Sequence, residues 1–206
     1  MLTSRISTVQ GRSLTVRGDD IDTDRIIPAR FLKCITFDDV GTQIFVDDIA
    51  QAAREGGLHS FADPQRTHAR ILFVNKNFGC GSSREHAAQG LKRWNDGIRA
   101  IVGESFAEIF FGNCLANGIP CVVASAENVE RLMRMSETSA DAEFTVDLES
   151  LQLRCPGDER ISISLGESAR KSLLEGQWDS TSVLMEGKSA VMELAQRAPY
   201  FARWGR

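Results

Sequence analysis

The feature that most constrains this chain is the run from Ala69 to Ala124, where short apolar stretches alternate with amphipathic ones. Ala69-Arg70-Ile71-Leu72-Phe73-Val74 is short and rich in β-formers, the pattern of a buried strand. A loop ending in Gly79-Cys80-Gly81 follows, and Ser82-Ser83-Arg84-Glu85 opens a helix that reaches about Trp94. Asn95-Asp96-Gly97 breaks it, and Ile98 to Val102 reads as a second strand. Ser105-Phe106-Ala107-Glu108 has the spacing of a capping box, and the helix after it ends at Asn117-Gly118. Ile119 to Ala124 is a third strand and residues 127–135 a third helix. Strands alternating with crossover helices imply a parallel sheet, whose ligand-bearing loops gather at the carboxyl ends of the strands.

The flanks are read differently. Residues 5–17 alternate loosely and predict one or two short strands. An acidic turn, Asp19 to Asp24, leads to Ile26-Ile27-Pro28, where the proline disfavours helix at Ile27 and predicts a loop. A short helix is expected near 46–54, ended by Gly56-Gly57, with a turn at Asp63-Pro64. Beyond residue 140 the period becomes two: Phe144, Val146, Leu148, then Leu151, Leu153, then Ile161, Ile163, Leu165. That is a β-meander, broken at Pro156-Gly157-Asp158. Short helices near 167–175 and 188–197 finish the chain. The segment 186–206, with its aromatic and basic tail through Phe201 and Trp204, is a candidate interface on an otherwise single domain of 206 residues.

Composition narrows the function. Twenty-four basic against 28 acidic residues, a net charge of −4, leave no basic patch for nucleic acid or an anionic membrane. No apolar stretch approaches the roughly 20 residues of a bilayer span. The first residues lack an apolar core of the secretory kind. The five cysteines are widely spaced, with no C-x-x-C pair, and the three histidines have no H-x-x-x-H spacing. A self-contained metal site is therefore not expected. Unpaired thiols point to the reducing cytoplasm.

The stretch Asn77 to His86 carries the chemistry. Two glycines let backbone approach a ligand, Ser82 and Ser83 add hydroxyls, and Arg84 offers a planar fork for a carboxylate or phosphate beside a helix N-terminus. The phosphate-loop, dinucleotide and nucleophile-elbow templates all fail: no Lys follows Gly81, Arg84 stands where a third Gly would be, and the Gly79-anchored elbow has Gly for Ser. Two readings stand here. One is an anion site; the other is a Ser82–Glu85 capping box with Arg84 as solvated surface. Cys80 reads as a small residue filling a tight loop, the alternative being a thiol acidified at the helix end. Asp22-Thr23-Asp24 suits binding a metal or orienting a base, the other reading being capping and solvated carboxylates. Cys114, Cys121 and Cys155 are expected in the core, and His59 and His68 in solvent.

Gly79-Cys80-Gly81-Ser82-Ser83-Arg84-Glu85-His86-Ala87, together with Asp22-Thr23-Asp24-Arg25-Ile26-Ile27-Pro28-Ala29-Arg30-Phe31-Leu32, resembles the small subunits of 3-isopropylmalate dehydratase, in the aconitase superfamily. Ile98 to Pro120, with Gly103-Glu104-Ser105-Phe106-Ala107-Glu108, is similar as well. The likeness is strong over about residues 15–125 and looser beyond. It implies an α/β fold: a three-layer β/β/α swivelling domain with a mainly parallel central sheet, a C-terminal β-meander and short helices. It implies a hydro-lyase active only with a large subunit, which would carry a [4Fe-4S] cluster, while this chain carries none. The implied reaction isomerises 2-isopropylmalate to 3-isopropylmalate through isopropylmaleate, in leucine biosynthesis.

Carried over residue by residue, the resemblance makes Ser82 the alkoxide base and Arg84 the carboxylate clamp, with Ser83 assisting and Asp24 orienting Arg84 or Ser82. Leu32, Lys33, Cys34 and Ile35 fall in the specificity segment. Apolar side chains there suit an isopropyl group and leave a third carboxylate unpaired, which disfavours citrate. The same chemistry on citramalate, dimethylmalate or a homoaconitate-type substrate is an alternative, as is a non-catalytic carboxylate-binding module. One departure is Ala88-Gln89-Gly90 after His86-Ala87, where family members often have Pro-Trp or Pro-Gln. Gly90 inside a helix costs up to about 1 kcal/mol relative to Ala, and suggests a paralogue.

Overall fold

The computed structural model describes residues 5–33, 37, 39–82, 84–180 and 187–197. Its described strands form one seven-stranded sheet, in the order β4-β3-β2-β1-β5-β6-β7. β1 (Thr8–Val16), β2 (Ala69–Val74), β3 (Ala100–Gly103) and β4 (Cys121–Val123) run parallel to their neighbours. β5 (Glu143–Asp147), β6 (Gln152–Arg154) and β7 (Arg160–Ser162) continue antiparallel from the other side of β1. The expected parallel sheet and β-meander are thus joined through one shared strand.

Alternation along the strands sorts the core into two layers. Leu14, Val16, Leu72, Val74 and Ile101 point into one cluster, which they share with α3 (Glu85–Arg93) and α4 (Glu108–Ala116). Ile71, Phe73, Val102 and Val122 point into the other, with α5 (Ala126–Thr138), the antiparallel strands and Leu173 of α6 (Glu167–Glu175). Phe73 meets Phe144 edge-on at 5.0 Å, so the antiparallel half contributes directly to the cover of the parallel half. α2 (Val46–Arg54) and α7 (Lys188–Arg197) form at the expected places. The tail beyond residue 197 lies outside the described residues, so the candidate interface at 186–206 is represented here by α7.

Three local expectations are corrected. Asp22 to Ile27 is not a loop throughout. Thr23–Ile26 forms a single helical turn, α1, whose N-cap Asp22 accepts the Arg25 N–H at 2.8 Å. Ser105 does not cap α4; Ala107 stands at that N-cap, and the Ser105 hydroxyl accepts the Asn77 N–H at 2.8 Å instead. His59 is half-buried rather than solvated, with its ring against Phe45 and Phe61, whereas His68 is exposed and pairs with Asp96.

A buried polar cluster joins β1 to α5. Arg66 is nearly buried and donates to the carbonyls of Ser13 at 3.1 Å and Ser136 at 2.9 Å, while Ser13 and Ser136 share a 2.9 Å hydroxyl bond. At the exposed end of the same contact Arg17 bridges Glu137 and Glu130. The guanidinium holds both carboxyls below the ordinary glutamate value of 4.5. A depressed carboxyl contributes stability that is complete above that value and lost as pH falls below it.

Gly90 has a packing reason. A Cβ there would lie 2.7 Å from Ile44 Cγ2, 3.0 Å from Ile27 Cδ1 and 3.2 Å from Val40 Cγ1. The missing side chain lets α3 press onto the 40–44 segment, so helix propensity is given up for close packing.

Two predictions follow from this packing. Gly90→Ala, which would stabilise an exposed helix, is expected to destabilise this chain by about 1–3 kcal/mol through overpacking, read as a lower urea midpoint. Arg17→Leu is expected to flatten the loss of stability below pH 4.5, measured as unfolding midpoints between pH 6 and 3; an unchanged acid slope would show that the pair contributes nothing.

Candidate functional site

The loops after β1 and β2 do not diverge where the strands end. β1 and β2 stay in register to Val16 opposite Val74, and pairing continues beyond the sheet. Asn75 Oδ1 accepts the Gly18 N–H at 2.9 Å, and the Lys76 carbonyl accepts the Asp20 N–H at 3.0 Å. The Ile21 carbonyl accepts the Gly79 N–H at 2.7 Å, and the Cys80 carbonyl accepts the Thr23 N–H at 2.9 Å. Asp22 and Cys80 form a parallel bridge. Residues from two ends of the sequence motif are therefore fixed side by side at the carboxyl edge of the parallel strands.

The loop after β3 braces this pair from the far side. Asn75 donates to Glu104 at 3.0 Å, the Ser105 carbonyl accepts the Phe78 N–H at 3.1 Å, and Phe78 returns its carbonyl to the Ala107 N–H at 3.0 Å. Asn77 sits at φ +53 and donates from its side chain to Asp20 at 2.7 Å. Sequence reasoning gave no bracing role to Asn75, Asn77, Glu104 or Ser105. The signal available for the asparagines was their position in a strand-to-helix loop, where asparagine tolerates a left-handed backbone.

Gly79 and Gly81 both have positive φ, +79° and +89°. At Gly79 a Cβ would stand 2.1 Å from Phe110 Cγ, so only glycine fits against that ring. Cys80 between them donates its Sγ–H to the Asp20 carbonyl at 3.3 Å. Burial, Asp22 and Asp20 push this thiol upward, away from the thiolate, which removes the acidified-thiol reading.

Ser82 is exposed at the end of this loop, and its carbonyl accepts the Thr23 hydroxyl at 2.9 Å. It is not a helix cap: α3 starts at Glu85 with Arg84 at the N-cap, and the Glu85 carboxylate accepts from Gln89 at 2.7 Å. The Ser82–Glu85 capping box is therefore absent. Arg84 is not solvated surface either. Its side chain is 15% exposed and its Nη1 is ion-paired to Asp24, which is 50% exposed. Asp24 thus lies against Arg84, leaving further guanidinium N–H groups for a second anion. Ser83 lies outside the described residues.

Of the segment expected to set specificity, Leu32 ends the short 3₁₀ turn Ala29–Phe31 and packs on the first core cluster, and Lys33 is exposed. Cys34 and Ile35 lie outside the described residues. Phe37, on the far side of that gap, stacks edge-on against His86 at 5.0 Å, with the Arg93 guanidinium 5.6 Å from its ring. The segment is thereby bracketed by two anchors, one on the core and one on α3.

The described thiols do not suit a metal cluster. Cys114, Cys121 and Cys155 are buried in the core as expected, in two different clusters, and Cys80 stands apart. Among the described residues no group of three or more His, Cys, Asp or Glu side chains is arranged to hold a metal ion. No described helix is long and apolar enough to cross a membrane.

The aconitase C-terminal domain family model matches residues 3–127, which contain the whole site. A 3-isopropylmalate dehydratase small subunit from Synechocystis is 46% identical over 96% of this chain and 96% of its own length. One from Thermus thermophilus is 42% identical over 95% and 96%, and one from Methylobacterium radiotolerans is 36% identical over 94% and 98%. The solved structure of a 3-isopropylmalate dehydratase from Methanocaldococcus jannaschii has the same fold, with a TM-score of 0.63 and 23% identity over 88% of this chain and 99% of that one. With its motif, its fold and near full-length identity to several of them, the chain belongs to the family of 3-isopropylmalate dehydratase small subunits.

Proposed function

We propose that this chain is the small subunit of a hydro-lyase that isomerises 2-isopropylmalate to 3-isopropylmalate through isopropylmaleate, in the leucine pathway of the cytoplasm. The observation that carries the reading is the pairing of an exposed Ser82 with a half-buried, Asp24-braced Arg84 on one rigid loop edge, in a chain of this family. That edge offers a base and a carboxylate clamp. A large subunit would complete the site.

The large subunit would carry a [4Fe-4S] cluster, whose open iron would supply Lewis-acid chemistry at the substrate hydroxyl. This chain would supply the rest. Arg84 would hold a substrate carboxylate through paired N–H donors while Asp24 keeps the fork oriented. Ser82 Oγ, as alkoxide, would take the proton from the carbon beside the leaving hydroxyl. The C–H electron pair becomes the new double bond, and the hydroxyl leaves as water with a proton that an acid on the large subunit would give, and would recover when water adds back. On rehydration the proton held on Ser82 Oγ returns to the neighbouring carbon. A serine is a weak base until its anion is stabilised, and the positive end of the α3 dipole, which begins at Glu85 just after Ser82 in the chain, would favour that anion.

Leu32 and the apolar members of the segment to Ile35 would receive the isopropyl group, with Ser83 assisting at the carboxylate. Apolar side chains there would suit an isopropyl group better than a third carboxylate, with Lys33 exposed in the same segment as a further substrate contact. This favours alkyl-malates over citrate.

The test is anaerobic hydration of isopropylmaleate by this chain with its cluster-loaded large subunit, beside dimethylmaleate, citraconate and cis-aconitate. Turnover should need both chains and be fastest with isopropylmaleate; a faster rival enoate would move the substrate, and inactivity of an intact complex toward all four would overturn the reading. Within that assay Ser82→Ala should lower kcat by about 10²–10⁴-fold, the usual range for a lost general base. Arg84→Gln should cut kcat/KM by about 10–100-fold, as expected for a lost charged hydrogen bond. Cys80→Ser should stay within about twofold of wild type, as a substitution without a chemical role does.

A further inference from the structure

Thr23 is 2% exposed and touches the opposite loop at two points. Its N–H donates to the Cys80 carbonyl at 2.9 Å, and its Oγ1 hydroxyl donates to the Ser82 carbonyl at 2.9 Å. Gly81 lies between those two carbonyls at φ +89°, and its Cβ position would be 3.7 Å from Thr23 Oγ1. A loop gripped only at Cys80 would retain the freedom of the glycine, because Gly81 has no side chain to limit its dihedrals. The second grip removes that freedom at Ser82 itself.

We propose that Thr23 is a positioning residue for Ser82: its buried hydroxyl fixes the Ser82 peptide plane, and so the direction in which Ser82 Oγ is presented. The clamp matters to turnover only if Ser82 is the base, as proposed above. Its own footing is firm. The Thr23 carbonyl accepts the Ile27 N–H at 2.9 Å, and Ile26 and Ile27 are fully buried. Thr23 is β-branched, which restricts the χ1 that aims its hydroxyl. The Ser82 carbonyl belongs to an exposed residue, so water can replace the hydroxyl if it is removed. What is lost is then geometry more than stability, and proton transfer from carbon depends steeply on geometry. Neighbouring Asp24 grips Arg84 from the same helical turn, so α1 holds both halves of the proposed site.

The experiment compares Thr23→Val and Thr23→Ser in the anaerobic complex with the cluster-loaded large subunit, with isopropylmaleate as substrate and thermal midpoints recorded alongside. Thr23→Val is expected to lose about 10–100-fold in kcat, the scale of a small misplacement of a reacting group, with KM and the thermal midpoint near wild type. Thr23→Ser, which keeps the hydroxyl, should recover most of that loss. Wild-type kcat in Thr23→Val, a change confined to KM, or equal impairment in Thr23→Ser would each overturn the proposal. If Thr23→Val fails to fold, Thr23→Ala carries the same comparison; failure of both to fold makes the role structural and also overturns it. Ser82→Ala run beside them separates the two ideas. Full activity there sinks Ser82 as the base, whereas an inactive Ser82→Ala beside a fully active Thr23→Val sinks the clamp alone.

Discussion

The continued pairing of the loops after β1 and β2 is the interaction on which the rest of the edge depends. Loops normally spend their backbone polar groups on water. Here residues 18–24 and 75–82 spend many of them on each other, and the order of the sheet extends past its last strand residues. Two segments about sixty residues apart in sequence become one surface. Everything placed on that surface, including Ser82, Arg84 and Asp24, inherits the positional precision of the core beneath it. The loop after β3 adds a third course through Glu104 and Ser105, so the edge is braced from both sides.

Much of this was legible in sequence, and the failures share a cause. Strand and helix periods placed β2, β3, β4, the meander and six of the helices, because apolar alternation reports burial directly. The motif was expected at the carboxyl edge of the parallel strands and lies there, because glycines and an arginine before a helix are recognisable without contacts. Capping was where local rules failed. Ser82 and Ser105 each stand three residues before a glutamate, and neither caps a helix. Ser105 instead closes the Asn77 turn, and Ser82 is held through its carbonyl by Thr23. Both alternatives are contacts between distant segments, which spacing does not encode. Gly90 shows the same limit: helix propensity gave only its cost, and a close tertiary approach to Ile27, Val40 and Ile44 gives its packing reason.

The two core clusters divide the labour. The first, under α3 and α4, also holds Ile21, Ile26, Ile27 and Phe78, so it supports the site loops directly. The second carries α5 and the antiparallel strands and shares the parallel strands with the first. Polar groups follow the same division. The Arg66–Ser13–Ser136 cluster is fully bonded and serves attachment of α5, whereas the guanidinium of Arg84 retains capacity for a ligand.

The bracketing of the segment proposed to set specificity has an evolutionary reading. Leu32 is anchored on the core, Phe37 on α3, and neither anchor is among the residues that grip Ser82 or Arg84. The chain between the anchors therefore begins and ends on contacts other than those that grip Ser82 and Arg84. On the proposed roles, substitution there would change what faces the substrate's side group and leave the base and the clamp where they are. Divergence would then proceed by rewriting a handful of positions around a retained chemistry.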